Sequence, residues 1–149
     1  MLWITKSFSE LTTTELDEIY KIRLAIFVVE QNCVYQDIDG KDQKAFHLFA
    51  KKEGEIIAYT RLFKPGDYYT EASLGRVLVT KSYRGTGLGH QLIDESIKAL
   101  EKLCGKVAIK IGAQLYLKDF YEKHNFKQIS DTYIEDGIPH IHMLRSVDN

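Results

Sequence analysis

One stretch constrains this chain more than any other: VLVTKSYRGTGLGHQLIDESIKAL, residues 77–100. Val77, Leu78 and Val79 form an apolar run suited to a buried strand. Arg84-Gly85-Thr86-Gly87-Leu88-Gly89 then turns the chain sharply into a helix whose apolar side is set by Leu88, Leu92, Ser96, Leu100 and Leu103. The first N–H groups of a helix have no intrahelical partner and sit at the positive end of its dipole. Glycines that admit a ligand to them make a cradle for phosphate. A dinucleotide fingerprint does not fit: counted from Gly85 and Gly87 its last glycine falls on His90, and the next predicted strand ends Gly112-Ala113-Gln114 without an acid. A P-loop does not fit either, because Gly-Lys-Ser/Thr is absent. What is left is Arg-x-x-Gly-x-Gly between an apolar strand and an amphipathic helix.

The chain around this junction is that of an ordinary globular domain. Its 149 residues are expected to form one domain, 1–149, large enough to bury most of the surface its unfolded form exposes. With 20 basic and 21 acidic side chains there is no electrostatic case for nucleic acid or for a membrane surface. Cys33 and Cys104 lack ligand spacing and are expected to be free thiols. No run approaches the ~20 apolar residues of a membrane span, and the N-terminus lacks the pattern of a secretion signal, so a cytoplasmic monomer or homodimer is expected.

Taken in order, Leu2 to Phe8 suggests a strand. Thr12 and Glu15 then offer a capping box for a helix that runs to about Glu30. Residues 31–44 are polar and too many for a simple connection. AFHLFAKK and EIIAYTRLF, joined by Glu53-Gly54, predict a hairpin. Ala72 to Val79 is a further strand, Gly87 to Leu103 the helix already described, and KVAIKIGAQ the strand after it, so that one crossover unit brings two strands together in parallel. Leu115 to His124 predicts a last helix, and FKQISDTYI with GIPHIHMLR a last hairpin. The class is mixed α/β.

The Arg-x-x-Gly-x-Gly loop resembles the pyrophosphate loop of the GNAT superfamily of N-acetyltransferases. The resemblance extends to Phe120-Tyr121, which stands where the family has a Phe-Tyr pair before the end of a helix. Asn125 replaces the usual glycine and Gln114 a common asparagine. Asn tolerates the left-handed conformation that glycine supplies there. The ElaA-like branch of the superfamily is matched more closely, through Phe27-Val28-Val29-Glu30-Gln31, Tyr35-Gln36-Asp37-Ile38-Asp39-Gly40, Gly75-Arg76-Val77 and Glu135-Asp136-Gly137-Ile138-Pro139-His140-Ile141. The resemblance implies a GNAT fold: a central mixed sheet of about six or seven strands with a parallel middle pair, flanked by about four helices. It also implies acetyl-CoA as co-substrate, an amine (small molecule or polypeptide) as acceptor, and a CoA site of Val77, Leu78, Val79, Arg84, Gly85, Thr86, Gly87, Leu88, Gly89, His90 and Gln114.

The chemistry expected from such a site has two needs. The acceptor amine must be neutral to attack a thioester, so a base or a water chain to one is expected, with Glu30, His47, His140 and His142 as candidates. The departing thiolate needs a proton, which the phenol of Tyr121 can supply; the alternative is that Tyr121 is simply a packed aromatic. Glu30, Asp37, Asp39, His47 and His140 are expected on the acceptor side. No metal is expected. Asp37-Ile38-Asp39-Gly40 places its glycine wrongly for a calcium loop, and His140-x-His142 with His47 lacks a recognised zinc spacing. A CoA-binding sensor without turnover is the reading from another class.

Overall fold

The structure is a computed structural model that describes residues 1–147. Its first sheet is β1 (Leu2–Ser7), β2 (Phe46–Lys52), β3 (Glu55–Phe63) and β4 (Ser73–Val79), in that order and all antiparallel. The second sheet centres on β8 (Ile138–Arg145), which pairs with β5 (Ile109–Gln114), β6 (Lys127–Gln128) and β7 (Tyr133–Glu135). The helices are α1 (Thr13–Arg23), α2 (Leu88–Cys104) and α3 (Lys118–Glu122). The described residues thus hold eight strands and three α-helices, where six or seven and about four were expected.

Local sequence explains most boundaries. α1 begins at the expected capping box: Glu15 N–H donates to Thr12 Oγ1 (3.1 Å) and Thr12 N–H to Glu15 Oε1 (2.9 Å). The β2–β3 turn places Glu53 and Gly54 both at positive φ, 53° and 81°, as a tight hairpin turn with the twist of its strands requires. β3 is buried from Ile56 to Phe63, because α1 covers one face through Ile19 against Phe49, Tyr59 and Leu78, and α2 covers the other through Leu92, Ile93 and Leu100. Ser96, in the apolar stripe of α2, is accommodated because its hydroxyl lies between the Leu92 carbonyl (2.7 Å) and the Thr60 hydroxyl (3.2 Å). The last hairpin departs from expectation. Its first strand breaks between β6 and β7, where the Ser130 hydroxyl, not a strand carbonyl, accepts the His142 N–H at 2.9 Å.

The parallel middle pair is reduced to one bridge. Ala72 meets Ile109, with Lys110 N–H donating to the Ala72 carbonyl at 2.8 Å, and beyond that point β4 and β5 separate. A bulge explains the parting. Between the pairs Tyr59–Leu78 and Arg61–Gly75 a single residue of β3, Thr60, faces two of β4, Arg76 and Val77. The extra residue bends the strand, and Arg76 takes a left-handed φ of 51° to do so.

Candidate active site

The parted strands enclose a cleft of about 490 Å³, within the range of small-molecule sites. Residues 74–79 of β4 form one wall and residues 111–114 of β5 the other. Beyond Arg23, α1 widens into a π-helical segment, Leu24–Glu30, and this brings Ile26, Phe27 and Glu30 to the cleft. Such wide turns often mark functional sites. Cys33, Tyr35, Glu135, Asp136 and His140 form the opposite rim, where the Cys33 thiol donates to the Asp136 carbonyl at 3.3 Å and so ties residues 31–36 to the β7–β8 turn.

The α2 N-terminus has the character read from its sequence. Gly85 and Gly87 are left-handed (φ 76° and 86°), and a Cβ on either would enter open space. The N-cap residue, Gly87, has no side chain to cap the helix, so its first N–H groups are available to an anion. Gly89 differs: it packs beside Phe120, where a Cβ would lie at ordinary contact distance, 3.5 Å from Cε1. The Thr86 hydroxyl donates to the Tyr83 carbonyl at 2.6 Å and fixes the turn. His90 Nδ1 lies 2.8 Å from Nε2 of His124, whose Nδ1 lies 3.1 Å from Asp94. Arg84 turns towards Glu30 in a two-pronged ion pair (Nη2–Oε2 2.7 Å), and its Nε donates to the Val79 carbonyl at 3.2 Å.

Tyr121 lines the cleft and is only 5% exposed. Its ring packs edge-on against Phe120 and Phe126, while its hydroxyl has no hydrogen-bond partner among the described residues. Burial pushes its pKa up, so it is a protonated donor throughout the neutral range. Asn125, just beyond α3, has φ 68°, the left-handed form expected of the residue in the place of glycine. Gln114 also lines the cleft, its side-chain amide donating to Gln31 Oε1 at 3.3 Å.

The acceptor-side expectations divide. Glu30 and His140 line the cleft; His47, Asp37 and Asp39 do not. His47 is fully buried on β2, one ring nitrogen 2.6 Å from the Tyr59 hydroxyl and the other 3.0 Å from the Asp42 carbonyl. Asp37, Asp39 and Asp42 are bound instead to arginines: Arg23 to Asp37 and Asp42, Arg61 to Asp39 and Asp42, Arg76 to Asp37 and Asp39. Burial works against the charge of Asp39, but the hydrogen bonds and charge of Arg61, the Lys41 N–H and the charge of Arg76 together outweigh it and bring its pKa to about 2. The Arg84 hydrogen bonds hold the Glu30 carboxyl below its ordinary range, which weakens it as a base. His140, by contrast, has a defined tautomer. Its Nδ1 lies 2.7 Å from the Ile138 carbonyl, which can only accept, so the proton of the neutral ring is on Nδ1 and Nε2 keeps its lone pair, 3.6 Å from Glu135. Cys33, Tyr35, Arg76, Glu135 and Asp136 were not among the sequence candidates. The Glu135-Asp136-Gly137 turn was the available signal, since loop tips carry function more often than strands do.

Burial lowers the His47 pKa, so the folded state resists its protonation. The contribution is fully present above the unfolded histidine pKa of ~6.5 and is lost as pH falls through the lower folded value. In urea unfolding between pH 8 and pH 5, His47→Gln should therefore show a shallower loss of stability than the parent chain. His124 and His142, also lowered by burial, keep the slope from vanishing. An unchanged slope would show that His47 is not part of this linkage.

Known proteins share this architecture. Residues 15–147 match the model of the acetyltransferase (GNAT) domain. The protein ElaA of Escherichia coli is 38% identical over 147 residues, covering 97% of this chain and 96% of its own. The crystal structure of that ElaA superposes with a TM-score of 0.91, covering 97% of this chain and 99% of the other. An acyl-CoA N-acyltransferase from Pseudomonas aeruginosa, 37% identical, superposes at 0.93 with the same coverage. An aminoglycoside 6'-N-acetyltransferase solved with coenzyme A shares the fold alone, at 17% identity, TM-score 0.71 and coverage of 97% of each chain. Parted strands, glycine loop and matched sequence agree, and the chain belongs to the GNAT acetyltransferase family, in its ElaA-like branch, and is an acyltransferase.

Proposed function

We propose that the protein transfers an acetyl group from acetyl-CoA to a primary amine by direct attack on the thioester. The observation that carries this reading is the hydroxyl of buried Tyr121, without a hydrogen-bond partner among the described residues, on the wall of a cleft formed where β4 and β5 part. The parts fit the co-substrate. Backbone N–H groups of the glycine turn and of Leu88, Gly89 and His90 suit a pyrophosphate, Val77, Leu78 and Val79 offer a strand edge to the pantetheine amides, and Gln114 stands across the cleft from them. Tyr121 protonates the sulfur as the C–S bond breaks. His140 Nε2, its tautomer set by Ile138, takes the proton of the attacking amine directly or through water. Glu135 and Asp136 line the acceptor end and favour an amine that arrives as a cation, whereas the Glu30 carboxylate is held by Arg84. The Asp37, Asp39 and His47 contribution is indirect, through the buried charge network beside that wall.

Release of free thiol from acetyl-CoA, screened across polyamines, amino acids, aminoglycosides and lysine peptides, tests the proposal. Tight acetyl-CoA binding with no thiol release from any amine would replace it with the sensor reading. The cradle has its own test. Gly87→Ala forces a Cβ into a left-handed residue and into the space facing the ligand, so acetyl-CoA affinity by calorimetry should fall about tenfold, 1.4 kcal/mol. Stability should fall by only ~1–2 kcal/mol. Wild-type affinity in this variant would remove the cradle from the CoA site.

A further inference from the structure

The left-handed residue on the cleft wall is in an unexpected place. Gly75, which adopts positive φ without steric cost, stands beside the bulge and does not do so; Arg76, which bears a Cβ, takes φ 51° instead. A side chain held there needs something outside the strand to hold it. The Arg76 guanidinium supplies that hold. Its Nε donates to Asp37 Oδ1 at 2.6 Å, its Nη2 donates to the Asp37 carbonyl at 3.1 Å, and the group lies over the Tyr35 ring. Asp37 is itself immobilised. Its side chain is fully buried, Arg23 Nε donates to Oδ2 at 2.9 Å, and the Tyr35 hydroxyl donates to Oδ1 at 2.7 Å.

We infer that Asp37 and Arg76 are positioning residues for acyl transfer: the buried carboxylate grips the guanidinium and keeps the β4 bulge in the form that presents the backbone of Val77 and Leu78 to the acyl carbonyl. This rests on the acetyltransfer reading. It adds that the polarising geometry of the wall is set from 39 residues away in sequence, by a carboxylate that never enters the cleft. Backbone donors act on a developing oxyanion only when aimed at it, and small misplacements are costly in rate. The clamp therefore governs turnover more than binding.

The test uses acetyl-CoA carrying ¹³C at the acetyl carbonyl, bound to the whole protein without an amine. In the parent chain the bound carbonyl resonance should move downfield of the free thioester. In Arg76→Ala, which removes the clamp but keeps a Cβ at the left-handed position, and in Asp37→Asn, which weakens the grip from the other end, it should return most of the way to the free position. Calorimetric affinity should stay within about threefold of wild type, and with an acceptor amine in hand kcat should fall ~10-fold or more at nearly constant KM for acetyl-CoA. Should Arg76→Ala fail to fold, Arg76→Lys keeps a cation against Asp37 and should give a smaller shift in the same direction. Variants that bind with an unchanged carbonyl shift, or a parent chain whose bound carbonyl resonates where the free one does, would overturn the clamp and leave acetyl transfer standing. Failure of the parent chain to bind acetyl-CoA at all would overturn both.

Discussion

Replacing Tyr121 by Phe is expected to lower kcat by ~10² to 10⁴ while leaving stability and acetyl-CoA affinity close to wild type. The expectation follows from how the residue is held. Its ring is fixed by Phe120 and Phe126, contacts that phenylalanine keeps, whereas the hydroxyl makes no hydrogen bond to the described residues and so stabilises nothing in the resting protein. What the hydroxyl offers is a proton at the cleft wall. Burial raises its pKa, and the neutral phenol is the correct form for a donor to a departing thiolate. A thiolate is a fair leaving group, with a pKa of ~8.5, and water that replaces the phenol would put the loss at the low end of the range. The measurement is kcat with one identified amine, under saturating acetyl-CoA and with chemistry limiting. A Tyr121→Phe enzyme within twofold of wild type across the pH range would return the residue to the role of a packed aromatic.

That Tyr121 could be placed from sequence, and His47 could not, reflects the range over which each is determined. Tyr121 sits in one short helix, four residues before the left-handed Asn125 that follows it, and local pattern fixes its position. Gly87 was legible for a similar reason, since a strand that turns into a helix within a few residues demands positive φ somewhere. The polar segment 31–44 was misleading because its carboxylates are neutralised by arginines from distant elements: Arg23 on α1, Arg61 on β3 and Arg76 on β4. A signal did exist. Arg61 lies inside EIIAYTRLF, a run buried from Ile56 onward, and an arginine so placed requires buried carboxylate partners. The parting of β4 and β5 was less accessible. Both strands read as ordinary apolar segments, and the bulge at Arg76 that separates them shows only in the pairing register.

The charge network itself should be the most sensitive part of the fold. Arg23, Arg61 and Arg76 face Asp37, Asp39 and Asp42, three cations against three anions. Arg23 is wholly buried between the rings of Tyr20 and Tyr59, and donates to Asp37 Oδ2 (2.9 Å), Asp42 Oδ1 (2.7 Å) and the Asp37 carbonyl (3.0 Å). Arg23→Met keeps much of the volume but leaves one buried negative charge in excess. Asp42, whose Oδ2 already has no partner, is least able to absorb it. Breaking a buried pair from one side typically costs ~3–5 kcal/mol, a large part of the ~5–15 kcal/mol that holds a domain together. The urea midpoint should fall accordingly. If charge imbalance and not lost packing is responsible, Arg23→Met/Asp42→Asn, which restores the balance without restoring any contact, should be more stable than Arg23→Met alone. A single variant within ~1 kcal/mol of wild type, or a double variant less stable than the single, would show that the network does not hold the fold in this way.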